Sequence, residues 1–308
     1  MALAAGRAVA APFPDHDVTF VVPWAAGGSN DILARALQPL LREQGMNIVV
    51  ENQVGATGAI GLRRVSASAP DGYTLGMGTS STMAYIAQGK TPLRNNNFTP
   101  IARCSVDPLL LLVAGEGPHK TLEQFIAYMK TRPGKVSIGT PGTFNLNQIF
   151  AAMTARAAGV DYTNVPYTGG SKVITDLAGQ QIDAGVLKPS ESLGQIQTDL
   201  VRPLGVFGAE RLALFPEVPT FKERGFDVFP YGPVVQMAYV VAPAKLPEDV
   251  RTRLVTLFRT AIQSPTFKDF GAKNAFLVDD LTGDALAREV DAVTAAIGTV
   301  AKQVFKEG

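Results

Sequence analysis

Short apolar runs alternate with stretches of helical period along nearly the whole of this 308-residue chain. That alternation constrains the fold more than any other feature. Amphipathic helices between buried strands build βαβ units and a largely parallel sheet. Asp17–Pro23 reads as a buried strand, and Asn30–Gln44 as a helix with Ile32, Leu33, Ala36, Leu37 and Leu40 on one face. Asn47–Asn52, Gly58–Ala69 and a strand ending at Thr79 continue the pattern. Polar and proline residues at Asn95–Pro100 interrupt it.

A second block follows, with strand Asp107–Gly115, helix Leu122–Arg132, strand Lys135–Thr140 and helix Asn147–Ala158. It ends with a short strand at Thr163–Tyr167, a helix at Lys172–Ala178, and strands Ile182–Leu187 and Val201–Gly208. From Pro230 a strand at Gln236–Ala244 precedes two helices, Glu248–Ser264 and Asp284–Phe305. These helices lack companion strands and are expected to pack back on the first block. The length suits two domains. The expected division is 13–104 with 227–308 as a discontinuous first domain, and 105–226 as the second. A chain that leaves one domain and returns makes two neighbouring linkers, hence a hinge above a cleft.

Charge and composition exclude several partners. A net charge of +1 gives no electrostatic reason to expect nucleic acid or an anionic membrane. No stretch approaches the roughly 20 apolar residues of a membrane span. A single cysteine, Cys104, rules out an intramolecular disulfide and reads as a small buried apolar residue. Two distant histidines, His16 and His119, give no support to a His-rich metal site, and no cofactor is expected. The Ala-rich start, with Ala-x-Ala at Ala8–Ala10, reads as a trimmed secretory signal behind an added Met, or as a flexible terminus, over residues 1–12.

The stretch Trp24–Asp31, "WAAGGSND", joins the first strand to the first helix. It lacks the Lys of a phosphate loop and the spacing of a dinucleotide fingerprint. No G-x-S-x-G nucleophile elbow occurs in the chain. What remains is anion capture: free N–H groups and the helix dipole point outward together, Gly27 and Gly28 permit close approach, and Ser29 or Asn30 could cap the helix. A tight connection with no ligand is the other reading. Three similar turns follow strands elsewhere: Gly76–Thr82 with Thr79 and Ser80; Gly139–Gln148 with Thr140, Gly142, Thr143 and Asn145; and Pro166–Val173 with Tyr167, Thr168, Gly169 and Gly170. Each follows the carboxyl end of a strand, where open α/β sheets bind ligands. Their neutral donors suit a small anion that is held and later released.

In this order the motifs "VVPWAAGGSNDILAR", "VVENQVGATGAIG", "APDGYTLGMGTSS", "RPGKVSIGTPG", "VPYTGGSKVITDLAGQQIDA" and "FPEVPTFKERGF" resemble the extracytoplasmic solute receptors of the tripartite tricarboxylate transporter group, the Bug family, over Phe13 to Lys306. The resemblance implies a type II-like periplasmic-binding-protein fold of two α/β domains, each a mixed, mostly parallel sheet flanked by helices. It implies a monomer that closes on a small carboxylate and hands it to a membrane permease. It places a ligand carboxylate between Ala25, Ala26, Gly27 and Gly28 on one side and Thr168, Gly169 and Gly170 on the other. The turns at Thr79–Ser80 and Thr140–Asn145 line the rest, and Asp31 serves local structure.

Two departures from the family pattern stand out. Trp24 is either a wall for the ligand's apolar body or a shield for the hinge. Lys188, after Leu187, either faces the cleft and favours a second anionic group, or is solvated on the rim. A dicarboxylate or an aromatic carboxylate is favoured. Amino acids are in doubt, because no carboxylate is evident to meet an ammonium group. A ligand sensor acting through a membrane kinase, and an enzyme using the same cleft, are the competing readings.

Overall fold

The computed structural model describes residues 13–232 and 234–305. The expected signal remnant at 1–12 lies outside them. The chain opens with β1 (Val18–Val22), α1 (Ser29–Arg42), β2 (Ile48–Asn52), α2 (Ala59–Ala67), β3 (Thr74–Thr79), α3 (Ser80–Ala87) and β4 (Phe98–Val106). It crosses at Asp107 into β5 (Leu109–Ala114), α4 (Leu122–Thr131), β6 (Ser137–Thr140), α5 (Leu146–Ala158) and β7 (Thr163–Pro166). Then come α6 (Gly170–Ala178), β8 (Ala184–Leu187), α7 (Pro189–Gln197) and β9 (Val201–Phe207). The chain returns as β10 (Met237–Pro243) and ends with α8 (Glu248–Gln263), α9 (Pro265–Lys273) and α10 (Gly283–Val304).

Two five-stranded sheets result, ordered β2-β1-β3-β10-β4 and β7-β6-β8-β5-β9. In each, the first three strands are parallel and the fourth runs antiparallel to both neighbours. All strands but that one therefore point the same way, the mixed and mostly parallel arrangement expected. The antiparallel strand in each sheet is the one that enters directly after a crossing between domains. Every residue of β5 (LLLLVA) and β10 (MAYVVAP) is buried, as strands interior to a sheet covered on both faces require.

β4 begins inside the polar interruption at Asn95–Pro100 and carries Ser105 and Val106 in the first sheet. It is an edge strand paired with β10 through two register shifts, which is where a sheet tolerates proline. α3, α7 and α9 also went unmarked by the apolar pattern, being short and rich in Ser, Thr or Lys. α10 packs on α3 and β4 as expected, and it also reaches α5 of the second domain. Its buried Leu286, Val290, Val293, Ile297, Val300 and Ala301 belong to one apolar cluster that runs from the first sheet to the second.

The two crossings lie side by side, with the Asp107 N–H donating to the Gln236 carbonyl at 2.8 Å. Among the described residues no helix is long and apolar enough to cross a membrane.

Candidate functional site

The first wall of the cleft is the turn between β1 and α1. Gly27, at φ +75°, takes the left-handed turn that glycine adopts freely. Its N–H donates to Asp31 Oδ2 at 2.9 Å, while Asp31 Oδ1 accepts from Asn52 Nδ2 at 2.9 Å. Burial alone raises the Asp31 carboxyl, but Arg35, the Gly27 N–H and Asn52 together hold it below the usual carboxylate range. Asp31 thus fixes the turn from behind. Gly28 is the N-cap residue and supplies no side chain, and Ser29 and Asn30 lie inside the first turn. Neither caps the helix, contrary to expectation. The Ser29 N–H meets the Glu191 carboxylate of the other domain, and the Asn30 and Asp31 N–H groups of this 14-residue helix have no side-chain cap.

The second wall comes from the other domain. Gly169 packs so closely on the first wall that a Cβ there would stand 3.0 Å from the Ala25 Cβ. Away from this contact, Thr57 Oγ1 donates to the Thr143 carbonyl at 2.8 Å, and Gln88 Nε2 to the Phe144 carbonyl at 2.8 Å. The domains are closed on a cavity of about 30 Å³.

Of the residues expected from sequence, Trp24, Ala25, Gly28, Ser29, Thr79, Gly169, Gly170 and Lys188 line this cavity. The others do not. Ala26, Gly27 and Thr168 are placed on the outer side of their turns. Ser80 is buried and accepts the Met237 N–H at 3.0 Å. Thr140 turns its hydroxyl to the Gly142 carbonyl, and Asn145 caps α5 by accepting the Gln148 N–H at 2.8 Å. Gly142 and Thr143 form the contact with Thr57. Tyr167 is half-buried, its ring packed beside Gly139 and its hydroxyl donating to Asp176 at 3.0 Å.

Lys188 is neither solvated on the rim nor free to meet a second anion. Its Nζ donates to Asp107 Oδ2 at 2.9 Å, and both side chains are buried. Ser105 Oγ adds a second hydrogen bond to the same oxygen at 2.7 Å.

Six lining residues were not among those expected: Asn30, Ser81, Pro141, Asn147, Glu191 and Gln236. Glu191 overturns the expectation that no carboxylate is at hand. It sits on the first turn of α7, partly buried, and its Oε1 accepts the Lys188 N–H at 3.1 Å. Burial raises its carboxyl above the usual range, and nearby Asp107 adds to that. The Lys188 N–H and charge and the Ser29 N–H pull the other way. Its oxygens press on Gly170, where any side chain would collide with them.

Among the described residues, three buried polar atoms of residues that line the cavity have no hydrogen-bond partner: Trp24 Nε1, Asn30 Oδ1 and Gln236 Oε1. An unpaired buried polar group costs roughly 1–3 kcal/mol, so three of them on residues that line one cavity favour a polar occupant there. Among the described residues no group of three or more His, Cys, Asp or Glu is placed to hold a metal ion. Cys104 is fully buried, which pushes its thiol pKa well up.

Residues 33–302 match the family model described as "Tripartite tricarboxylate transporter family receptor". Among curated relatives, "Protein BugT" of Bordetella pertussis is 27% identical over 287 residues, which is 90% of this chain and 87% of that one. Among solved structures, MatC (Rpa3494) from Rhodopseudomonas palustris with bound malate superposes with a TM-score of 0.87 at 27% identity, covering 94% of this chain and 100% of that one. R. palustris Rpa4515 with adipate gives 0.88 at 27%, covering 95% and 98%.

Proposed function

The chain belongs to the tripartite tricarboxylate transporter receptor family, and on that premise we propose that it captures a small carboxylate in the periplasm and presents it to a membrane permease. The single observation that carries this reading is the set of uncommitted polar groups facing one cavity between the domains. The Asn30 and Asp31 N–H groups in the first turn of α1 have no side-chain cap, and among the described residues the Trp24 indole N–H has no partner. Hydrogen bonds to a charged acceptor are worth about 1.5–3 kcal/mol each, so three or four supply micromolar affinity without a buried Arg.

Trp24 serves as a wall of the site and as a donor to the bound group. Closure follows from the hinge at Asp107 and Gln236. The carboxylate bridges two walls that are only one Cβ apart at Gly169 and Ala25, so binding and closing are one event. The malate and adipate found in MatC and Rpa4515 support the ligand class. A thermal-shift screen over mono-, di- and aromatic carboxylates, with nucleotides as the control, tests the reading. At least one carboxylate is expected to raise the melting temperature. If none does while a nucleotide does, the receptor reading is wrong.

A further inference from the structure

A second set of contacts spans the cleft without touching its cavity. From the first domain come Thr57, in the loop after β2, and Gln88 and Lys90, just beyond α3. From the second comes the turn Gly142–Phe144, between β6 and α5. Thr57 Oγ1 and Gln88 Nε2 donate to two successive carbonyls of that turn, those of Thr143 and Phe144, each at 2.8 Å. The Lys90 ammonium stands 4.5 Å from the centroid of the Phe144 ring. The Phe305 ring, at the end of α10, meets the same ring edge-on at 5.5 Å. Thr57, Gln88, Lys90, Thr143, Phe144 and Phe305 are all absent from the cavity wall.

Each half of this contact is held in shape by its own domain. Thr57 has φ +53° and Phe144 φ +54°, a left-handed backbone that β-branched and bulky residues seldom adopt. Thr82 Oγ1 fixes the first half by donating to the Thr57 carbonyl at 3.0 Å. Asn145 Nδ2 fixes the second by donating to the Pro141 carbonyl at 2.8 Å, and the Gln148 side chain accepts the Phe144 N–H. Backbone strain of this kind persists where the surroundings impose it, and it gathers at clamps and switches. Surfaces shaped in advance also meet with little loss of loop freedom. Gly142 keeps the approach open, because a Cβ there would stand 3.0 Å from Thr57 Oγ1.

We propose that the Gly142–Phe144 turn is a latch that closes on Thr57, Gln88 and Lys90 whether or not the cavity is filled. It sets the balance between open and closed protein and slows the release of every ligand by the same factor. Cavity residues decide what binds, and the latch decides how long it stays. The factor is common to all ligands because none of the latch residues lines the cavity, so each ligand meets the same closing equilibrium. This goes beyond the receptor reading, since that equilibrium exists with no ligand present.

Spin labels at Ile60→Cys and Lys172→Cys, exposed positions at the cleft ends of α2 and α6, report the distance between the domains. The native Cys104 is buried and stays unlabelled. Pulsed spin-resonance distances in the ligand-free protein are expected to show a short, closed population beside a longer, open one. Combining Thr57→Val, Gln88→Leu and Phe144→Ala is expected to lower the closed-to-open ratio about tenfold, from two lost hydrogen bonds and a lost cation–π contact. Gln88→Leu alone is expected to lower it about threefold. Distances that are the same in the wild type and both variants overturn the proposal. Malate, adipate and succinate serve as ligand probes. Each that binds the wild type is expected to leave the triple variant about tenfold faster, with the affinity ratios among them kept within about twofold. A loss concentrated on one of them would place these residues in ligand recognition and also overturn the latch. Failure of all carboxylates to bind would fall on the receptor reading, and the ligand-free distances decide the latch by themselves.

Discussion

Lys188 and Glu191 stand three residues apart at the mouth of α7, both line the same cavity, and they meet opposite fates. The Lys188 charge is spent inside the protein, on a buried pair with Asp107 that Ser105 completes. The Glu191 carboxyl is pushed toward the neutral form by burial, against the pull of the Lys188 and Ser29 N–H groups and of the Lys188 charge, and it closes no ion pair among the described residues. A satisfied buried charge is architecture, because removing its partner strands the other. A carboxylate held by backbone N–H groups alone keeps its charge less fully answered. The lesson is that the presence of a charged side chain in a cleft says little until its partners are counted.

The sharpest way to break the comparison is to strand Asp107. Lys188→Met leaves that carboxylate buried and unpaired, and chemical denaturation is expected to show a loss of about 3–5 kcal/mol. Ligand selectivity among the survivors is expected to stay as it was. The double variant Lys188→Met with Asp107→Leu is expected to recover most of the loss, since a buried ion pair replaced by packed apolar groups is often neutral. A Lys188→Met protein of full stability would mean that the pair is not structural.

Gly169→Ala acts on the closed form alone. Its new Cβ meets the Ala25 Cβ at 3.0 Å across the cleft. Overpacking of this kind costs roughly 1 kcal/mol, so titration calorimetry is expected to show binding about fivefold weaker with the melting temperature of the ligand-free protein little changed. Unchanged affinity would place ligand closure somewhere other than this contact.

The smallest effect is a pH dependence in the ligand-free protein. Because Glu191 has its carboxyl raised above the unfolded value, its contribution to stability is fully present below the ordinary carboxylate range and is lost as pH rises through the raised value. Glu191→Gln lacks that loss. Its melting temperature is therefore expected to exceed that of the wild type at about pH 8, with the difference closing as pH falls toward about 4. A lower melting temperature for the variant at the alkaline end would make Glu191 a structural anchor like Lys188.

Much of this was legible in the chain itself. Continuous apolar runs marked β1, β5 and β10 because interior strands covered on both faces need no alternation. β4 was hidden because an edge strand tolerates Thr99 and Pro100. The turns at Trp24–Gly28 and Gly169–Gly170 were visible as glycine turns between strand and helix, and both line the cavity. Thr140, Asn145 and Tyr167 carried the right chemistry for a ligand but spend it on caps and neighbours, a choice that depends on rotamer and register. Glu191 and Gln236 had no local signal at all. They reach the site only because α7 starts beneath the Gly169 turn and the returning crossing runs beside Asp107, juxtapositions set by the packing of the two domains.

The central claim is that a ligand carboxylate lies between the domains at the start of α1. A crystal structure of the protein with the carboxylate that most raises its melting temperature tests this directly. The expected map shows carboxylate oxygens within hydrogen-bond distance of the first-turn N–H groups of α1 and the Trp24 indole nitrogen, with Gly169 and Gly170 closing the opposite side. Ligand density outside this cleft, or a bound carboxylate facing away from α1, would contradict it.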